Sequence, residues 1–193
     1  MGRRGHSLLD WLNPFSSRRE DTRTEGGCAT SIDLMMMERA LTLANEASLR
    51  GEVPVGAVVY QGEDVIAEAS NNREASGDPT GHAEIIALRE AGRRIGTWRL
   101  QDCSVVVTLE PCPMCAGAMV NARVGRLIYG ASDPKGGARE SLYEITRDPR
   151  LNHRLETIGG VMSERCGDLL RDFFRERRAL KRKMRSEAER MKS

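Results

Sequence analysis

Residues 103–123 read CSVVVTLEPCPMCAGAMVNAR, and most of the fold can be worked out from them. The first eight are a short apolar run with turn signals on both sides, which predicts a buried central strand. A helix of small residues then follows over 113–123. Proline suits the first position of a helix, where its missing N–H costs no hydrogen bond, so Pro113 is expected to open it. Cys112 then falls at the N-cap, with Cys115 one turn inside on the same face. Both sulfurs lie at the positive end of the helix dipole, which favours thiolates.

Two cysteines at this spacing are core residues, a redox dithiol or half of a metal site. A structural zinc takes four protein ligands, often as two such pairs, and this chain has one pair. Cys28, Cys103 and Cys166 stand singly. A catalytic zinc takes three protein ligands and leaves the fourth position to water. Among the three histidines, His82 stands at a loop-to-helix junction in GHAEIIA, with a carboxylate two residues on. His82, Cys112 and Cys115 are therefore the expected ligands. Glu84 as a fourth ligand would close the site; its better use is proton transfer. His-x-Glu followed by Pro-Cys-x-x-Cys is the recognised signature of zinc-dependent base deaminases.

Outward from this motif, helices and strands alternate. Met36, Ala40, Leu43 and Ala47 recur at helical spacing, with Ser31 or Asp33 as the expected N-cap. VGAVVY (55–60) and DVIAEAS (64–70) predict a hairpin around a tight QGE turn. NNREASGDPTG (71–81) has loop composition. HAEIIALREAGRRIG holds a helix with Ile85, Leu88 and Ala91 apolar, RLIYGAS (126–132) a strand, and GGVMS (159–163) a weak fifth strand. From Glu164 a long amphipathic helix is expected, with Leu169, Leu170, Phe173 and Phe174 on its apolar side. The pattern implies a sheet with helices on both faces.

Composition sets the outer bounds. The 193 residues are 39% hydrophobic and 30% charged, with no apolar run long enough to span a bilayer. Five scattered cysteines are not a disulfide framework and point to a reducing compartment. Residues 165–193 carry 11 basic and five acidic residues, whereas 31–164 carry 14 basic and 19 acidic. The positive charge thus concentrates at the C-terminal end, a pointer to a polyanionic partner. Residues 1–30 lack an apolar h-region, and their acidic residues argue against a transit peptide. They are expected to be a flexible extension. Residues 31–185 would form the deaminase domain, and 186–193 a disordered basic tail.

EVPVGAVV (52–59), DPTGHAEIIALREA (78–91), LEPCPMCAGAM (109–119), YGASDPKGGA (129–138) and DFFRERR (172–178) together resemble the bacterial-type tRNA-specific adenosine deaminases of the cytidine deaminase superfamily, from about residue 32 to 180. The resemblance implies a three-layer α/β/α sandwich around a five-stranded mixed sheet, and a cytoplasmic homodimer with one zinc per subunit. It implies hydrolytic deamination of adenosine to inosine at wobble position 34 of a tRNA anticodon. By the same resemblance Asn71 hydrogen-bonds the target base, Val55 and Ala83 line its pocket, and Asp133 and Lys135 lie in a loop beside the RNA. Phe174, with Arg175, Arg177 and Arg178, belongs to the helix that meets the anticodon stem-loop. Gly81 departs from the family, which more often has Ala there; the glycine is expected to loosen that turn.

Two other readings compete. Guanine deaminases share His-Ala-Glu, so a free-base deaminase of guanine type is the alternative. A non-enzymatic zinc-stabilised module would not need Glu84 beside the metal. The basic segment FFRERRALKRKMR suits a polyanion better than a free base.

Overall fold

The computed structural model describes residues 27–191; most of the expected N-terminal extension lies outside the described residues. The first helix, α1 (Ser31–Leu49), is capped by Thr30 rather than by Ser31 or Asp33. The Thr30 hydroxyl accepts from the Asp33 N–H at 3.1 Å, and the Asp33 carboxylate accepts from the Thr30 N–H at 2.8 Å. This reciprocal capping box satisfies two helix-end donors at once.

The expected hairpin forms from β1 (Gly56–Gln61) and β2 (Asp64–Ser70). The stretch with loop composition contains one short helix, α2 (Arg73–Ser76), stopped by left-handed Gly77. Then come α3 (Ala83–Ile95), β3 (Ser104–Leu109), α4 (Pro113–Asn121) and β4 (Arg126–Ala131). A 3-10 turn (Ile145–Arg147) leads to β5 (Glu156–Ile158), and α5 (Ser163–Arg190) closes the chain. The fifth strand is thus 156–158, not 159–163. Gly160 and Met162 both have left-handed backbones, at φ +78° and +53°, which turn the chain into α5 and cannot extend a strand. The tail expected to be disordered from 186 continues as helix through Arg190.

The sheet order is β2-β1-β3-β4-β5. β1 is antiparallel to both neighbours, while β3, β4 and β5 run parallel, so the sheet is mixed. Its central strands are apolar on both sides, as burial under two helical layers requires. Ala57, Val59, Val105, Val107 and Leu127 pack beneath α3 and α4. Val58, Tyr60, Val106 and Ile128 pack beneath α1 and the start of α5. Among the described residues no helix is long and apolar enough to cross a membrane. All five cysteines are free thiols.

Candidate metal centre

Strand direction places the site. β2 and β3 each run antiparallel to β1, and β4 runs parallel to β3, so β2, β3 and β4 end on one edge. From those three ends issue the 71–82 loop, the Cys112 turn and the 132–141 loop. The carboxyl ends of strands are where open α/β sheets receive ligands. β1 runs the other way and begins there, which brings Val55 to the same edge.

His82 is the N-cap of α3 and Cys112 the N-cap of α4, and the His82 side chain makes no capping bond to its own helix. The two side chains meet. His82 Nδ1 lies 3.7 Å from Cys112 Sγ and 3.5 Å from Cys115 Sγ. One ligand atom from each of the three residues falls within 4.8 Å of the others. Tetrahedral zinc, with bonds of about 2.3 Å to sulfur and about 2.0–2.1 Å to nitrogen, needs such donors roughly 3.6–3.8 Å apart. A zinc ion therefore fits this set. Of the other histidines, His153 donates its Nε2–H to the Val124 carbonyl at 2.7 Å, and His6 lies outside the described residues.

The electrostatics suit a cation. The Cys112 thiol is pulled down to about 4, chiefly by a hydrogen bond from Cys115 and next by one from His82, against the effect of burial. The Cys112 sulfur in turn raises the His82 imidazole, while Cys115 is pushed up by the same hydrogen bond and by burial. The three groups share protons that a metal would displace. Glu84, only 4% exposed in the first turn of α3, is raised by burial, with its own backbone N–H and His82 opposing.

A chain of hydrogen bonds joins the residues expected to line the base pocket. Asn71 N–H donates to the Val55 carbonyl at 3.1 Å, and the Ala83 N–H donates to Asn71 Oδ1 at 2.9 Å. Asn71 thus satisfies the first free N–H of α3 and sits between the hairpin and the metal-side helix. Asn72 N–H donates to the Gly81 carbonyl at 2.9 Å, closing the loop. A Cβ added at Gly81 would lie 3.1 Å from the Asn72 carbonyl oxygen, a close approach within that loop.

The residues expected to meet RNA lie on the 132–141 loop and on α5. Asp133 is half-buried and accepts from the Lys135 N–H at 3.0 Å, while Lys135 is exposed. On α5, Phe173 is buried and Phe174 is 37% exposed, packed edge-on against it. Arg175 pairs with Asp172 at 2.7 Å, and Arg178 is exposed. Arg177 lies over the Phe173 ring and donates to the Gly51 carbonyl at 3.0 Å, which sets this turn of α5 beside the segment leading to Val55.

Two buried carboxylates escaped the sequence reading. Glu52 accepts from the Glu74 and Ala75 N–H groups at 3.2 and 2.8 Å, capping α2. Glu110 binds the backbone of the 133–141 segment. The available signal was a proline within two residues after the glutamate, in EVP and EPC.

The comparisons agree with this geometry. Residues 32–178 match the model of the MafB19-like deaminases. The tRNA-specific adenosine deaminase of Bacillus subtilis is 45% identical over 150 residues, spanning 78% of this chain and 93% of that protein. A solved structure from work on A-to-I editing by tRNA:A34 deaminases at the wobble position is 42% identical, with a TM-score of 0.68 over 70% of this chain and 99% of its own. The guanine deaminase of Bacillus subtilis is 36% identical over 56% of this chain and 80% of its own, with a TM-score of 0.50. With 45% identity over 93% of a curated relative and a deaminase model matching residues 32–178, the chain belongs to the tRNA-specific adenosine deaminase family.

Proposed function

We propose that this protein converts adenosine to inosine by hydrolysis at wobble position 34 of a tRNA anticodon. One observation carries the reading: a three-donor cluster of His82, Cys112 and Cys115 with buried Glu84 two residues from the histidine, at the strand-end edge of a sheet in a chain of this family. When bound there, zinc supplies Lewis acidity that brings the pKa of a water from about 9 in the aqueous ion toward about 7.

Glu84 manages the protons. It takes one from the attacking water and places it on N1 of adenine as oxygen bonds to C6. It then carries the second to the exocyclic nitrogen, and the C6–N6 bond breaks to release ammonia. Asn71, with Oδ1 committed to the Ala83 N–H, keeps its Nδ2 hydrogens for the base. Val55 and Ala83, both buried, form apolar walls that keep water off the ring. An anticodon loop presents a base that is already unpaired, which lowers the cost of extracting it. The exposed half of α5, with Phe174, Arg175 and Arg178, supplies the grip on phosphates, and the 132–141 loop meets the RNA beside the target.

We extend the reading to one zinc per subunit, a homodimer and a cytoplasmic setting. An exposed groove of about 660 Å³ between α3 and α4, lined by Leu88, Trp98 and Ala118, offers an apolar face to a second copy.

Ammonia release from an anticodon stem-loop bearing adenosine at the wobble position, with metal analysis of the same sample, tests the whole. Turnover with one zinc per chain is expected. Turnover of free guanine without turnover of the stem-loop would instead establish the guanine-type reading favoured by the second structural relative.

A further inference from the structure

One side chain, that of Glu110, gathers the backbone of the 132–141 loop at four residues. Glu110 is 2% exposed, and its carboxylate accepts from the backbone N–H groups of Asp133 at 3.0 Å, Arg139 at 3.1 Å, Glu140 at 2.8 Å and Ser141 at 3.0 Å. The Ser141 hydroxyl also donates to it. Hydrogen bonds to a charged acceptor are roughly twice as strong as neutral ones. The loop is shaped to receive the carboxylate. At Gly137 an added Cβ would collide with it. The adjacent Ala138 N–H donates to the Pro111 carbonyl at 2.8 Å, so the loop is tied at two successive residues of the turn that ends in Cys112.

We infer that Glu110 is a positioning residue for the substrate: it fixes the 132–141 loop at a set distance from the metal ligands, and so sets how the RNA beside the target base is received. The inference rests on the proposed function, in which Asp133 and Lys135 face the RNA. Glu110 itself touches no reacting atom. It lies between two parts that must agree in space, the Cys112 turn by covalent connection and the loop by hydrogen bonds. Replacement by glutamine keeps the shape but turns one acceptor into a donor facing donors, which the buried N–H groups cannot accommodate. The loop should then loosen while the cluster stays.

Two variants of the full chain test this from opposite sides, Glu110→Gln on the strand end and Gly137→Ala on the loop. Amide hydrogen exchange without RNA should quicken across 133–141 in both, with β3 amides unchanged. With the stem-loop, KM should rise about tenfold while kcat stays within about threefold and zinc content holds at the wild-type level. Faster exchange with an unchanged KM overturns the inference. So does a fall in kcat alone, which would place Glu110 in the chemistry. Gly137→Ala changes no residue of the turn that ends in Cys112 and acts on it only by pressing the Glu110 carboxylate, so a wild-type KM for that variant overturns the inference whatever Glu110→Gln does. Failure of the proposed function shows separately, as a wild-type chain that turns over no stem-loop; the exchange result still decides whether Glu110 orders the loop.

Discussion

The metal cluster and the exposed half of α5 are built in opposite ways. At the cluster, each chemical group sits at a helix start and is buried or half-buried, and the loops around it are laced by backbone hydrogen bonds. Beyond Phe173, α5 touches little: its side chains are exposed through Met191, and its ion pairs Arg175–Asp172 and Arg185–Glu189 lie within the helix. Bond-making needs groups held to fractions of an ångström before substrate arrives. A hold on a polyanion needs only charge at the right range, and a rigid site would gain little. Substitutions in the first region should therefore act on kcat and metal, and those in the second on binding and its salt dependence.

The sharpest break of that contrast would come at Glu84. Glu84→Gln keeps the volume and removes the proposed proton carrier, so kcat on the stem-loop should fall by about 10³–10⁴-fold with zinc content and RNA affinity unchanged. A variant that keeps half the wild-type kcat would remove Glu84 from the chemistry. Next in size is the cluster itself. Cys115→Ala deletes a fully buried donor, and bound zinc should drop well below the one per chain expected of the wild type, with activity lost in proportion. A native crystal structure with a fourth protein ligand on the metal would overturn the catalytic assignment of the site.

On the other region the expected effect is smaller and of another kind. Replacing Arg175, Arg177 and Arg178 together by Ala should weaken stem-loop binding by about tenfold or more at low salt. The slope of log affinity against log salt should flatten by about 0.7–0.9 for each phosphate that is no longer neutralised. Zinc content should not move. The three are not equal, because Arg177 also donates to the Gly51 carbonyl and lies over Phe173, so its single replacement should cost some stability as well. An unchanged affinity and slope would make this half of α5 a solvated helix face.

The same division explains what could be read from the sequence. β3, α4 and the hairpin were legible because one kind of signal dominated each: an apolar run, a proline at a helix start, two strands about a short turn. The meeting of His82, Cys112 and Cys115 was legible because metal-ligand spacing is chemically narrow and leaves few other uses for those residue types. What stayed hidden depended on contacts distant in sequence or on backbone conformation. The Thr30 cap is the exception, a reciprocal bond with Asp33 three residues on, whereas left-handed Gly160 and Met162 keep 159–163 from being a strand, which forms at 156–158 instead. Glu52 and Glu110 look like surface charges until the chain brings peptide N–H groups from more than 20 residues away onto them. Apart from a nearby proline, nothing local marks a buried carboxylate whose partners are mostly backbone N–H groups.

Burial alone does not make a group functional, and Asp33 tests that at the small end of the scale. It is fully buried on the face opposite the cluster, held by Arg126 at 2.9 Å and by the Tyr60 hydroxyl, and it completes the cap on α1. Burial works to raise its pKa, but Arg126, Tyr60 and the Thr30 N–H together hold it below its ordinary value of 3.8. A carboxyl depressed in the folded state adds stability that is complete above its unfolded pKa and is lost as pH falls through the folded one. Asp33→Asn leaves Arg126 without its close partner. Because Arg126 is partly exposed and has Glu156 at 3.7 Å, the cost at pH 7 should be about 2 kcal/mol rather than the larger loss of a wholly buried pair. Denaturant titrations of both chains should show that gap constant from neutral pH to about pH 5 and narrowing below about pH 4. Stem-loop kcat and KM should stay within about twofold of wild type at temperatures where both chains are folded. A kcat loss as deep as that of Glu84→Gln would mean the two faces of the sheet are coupled, and the contrast between a preorganised centre and an open grip would no longer describe the molecule.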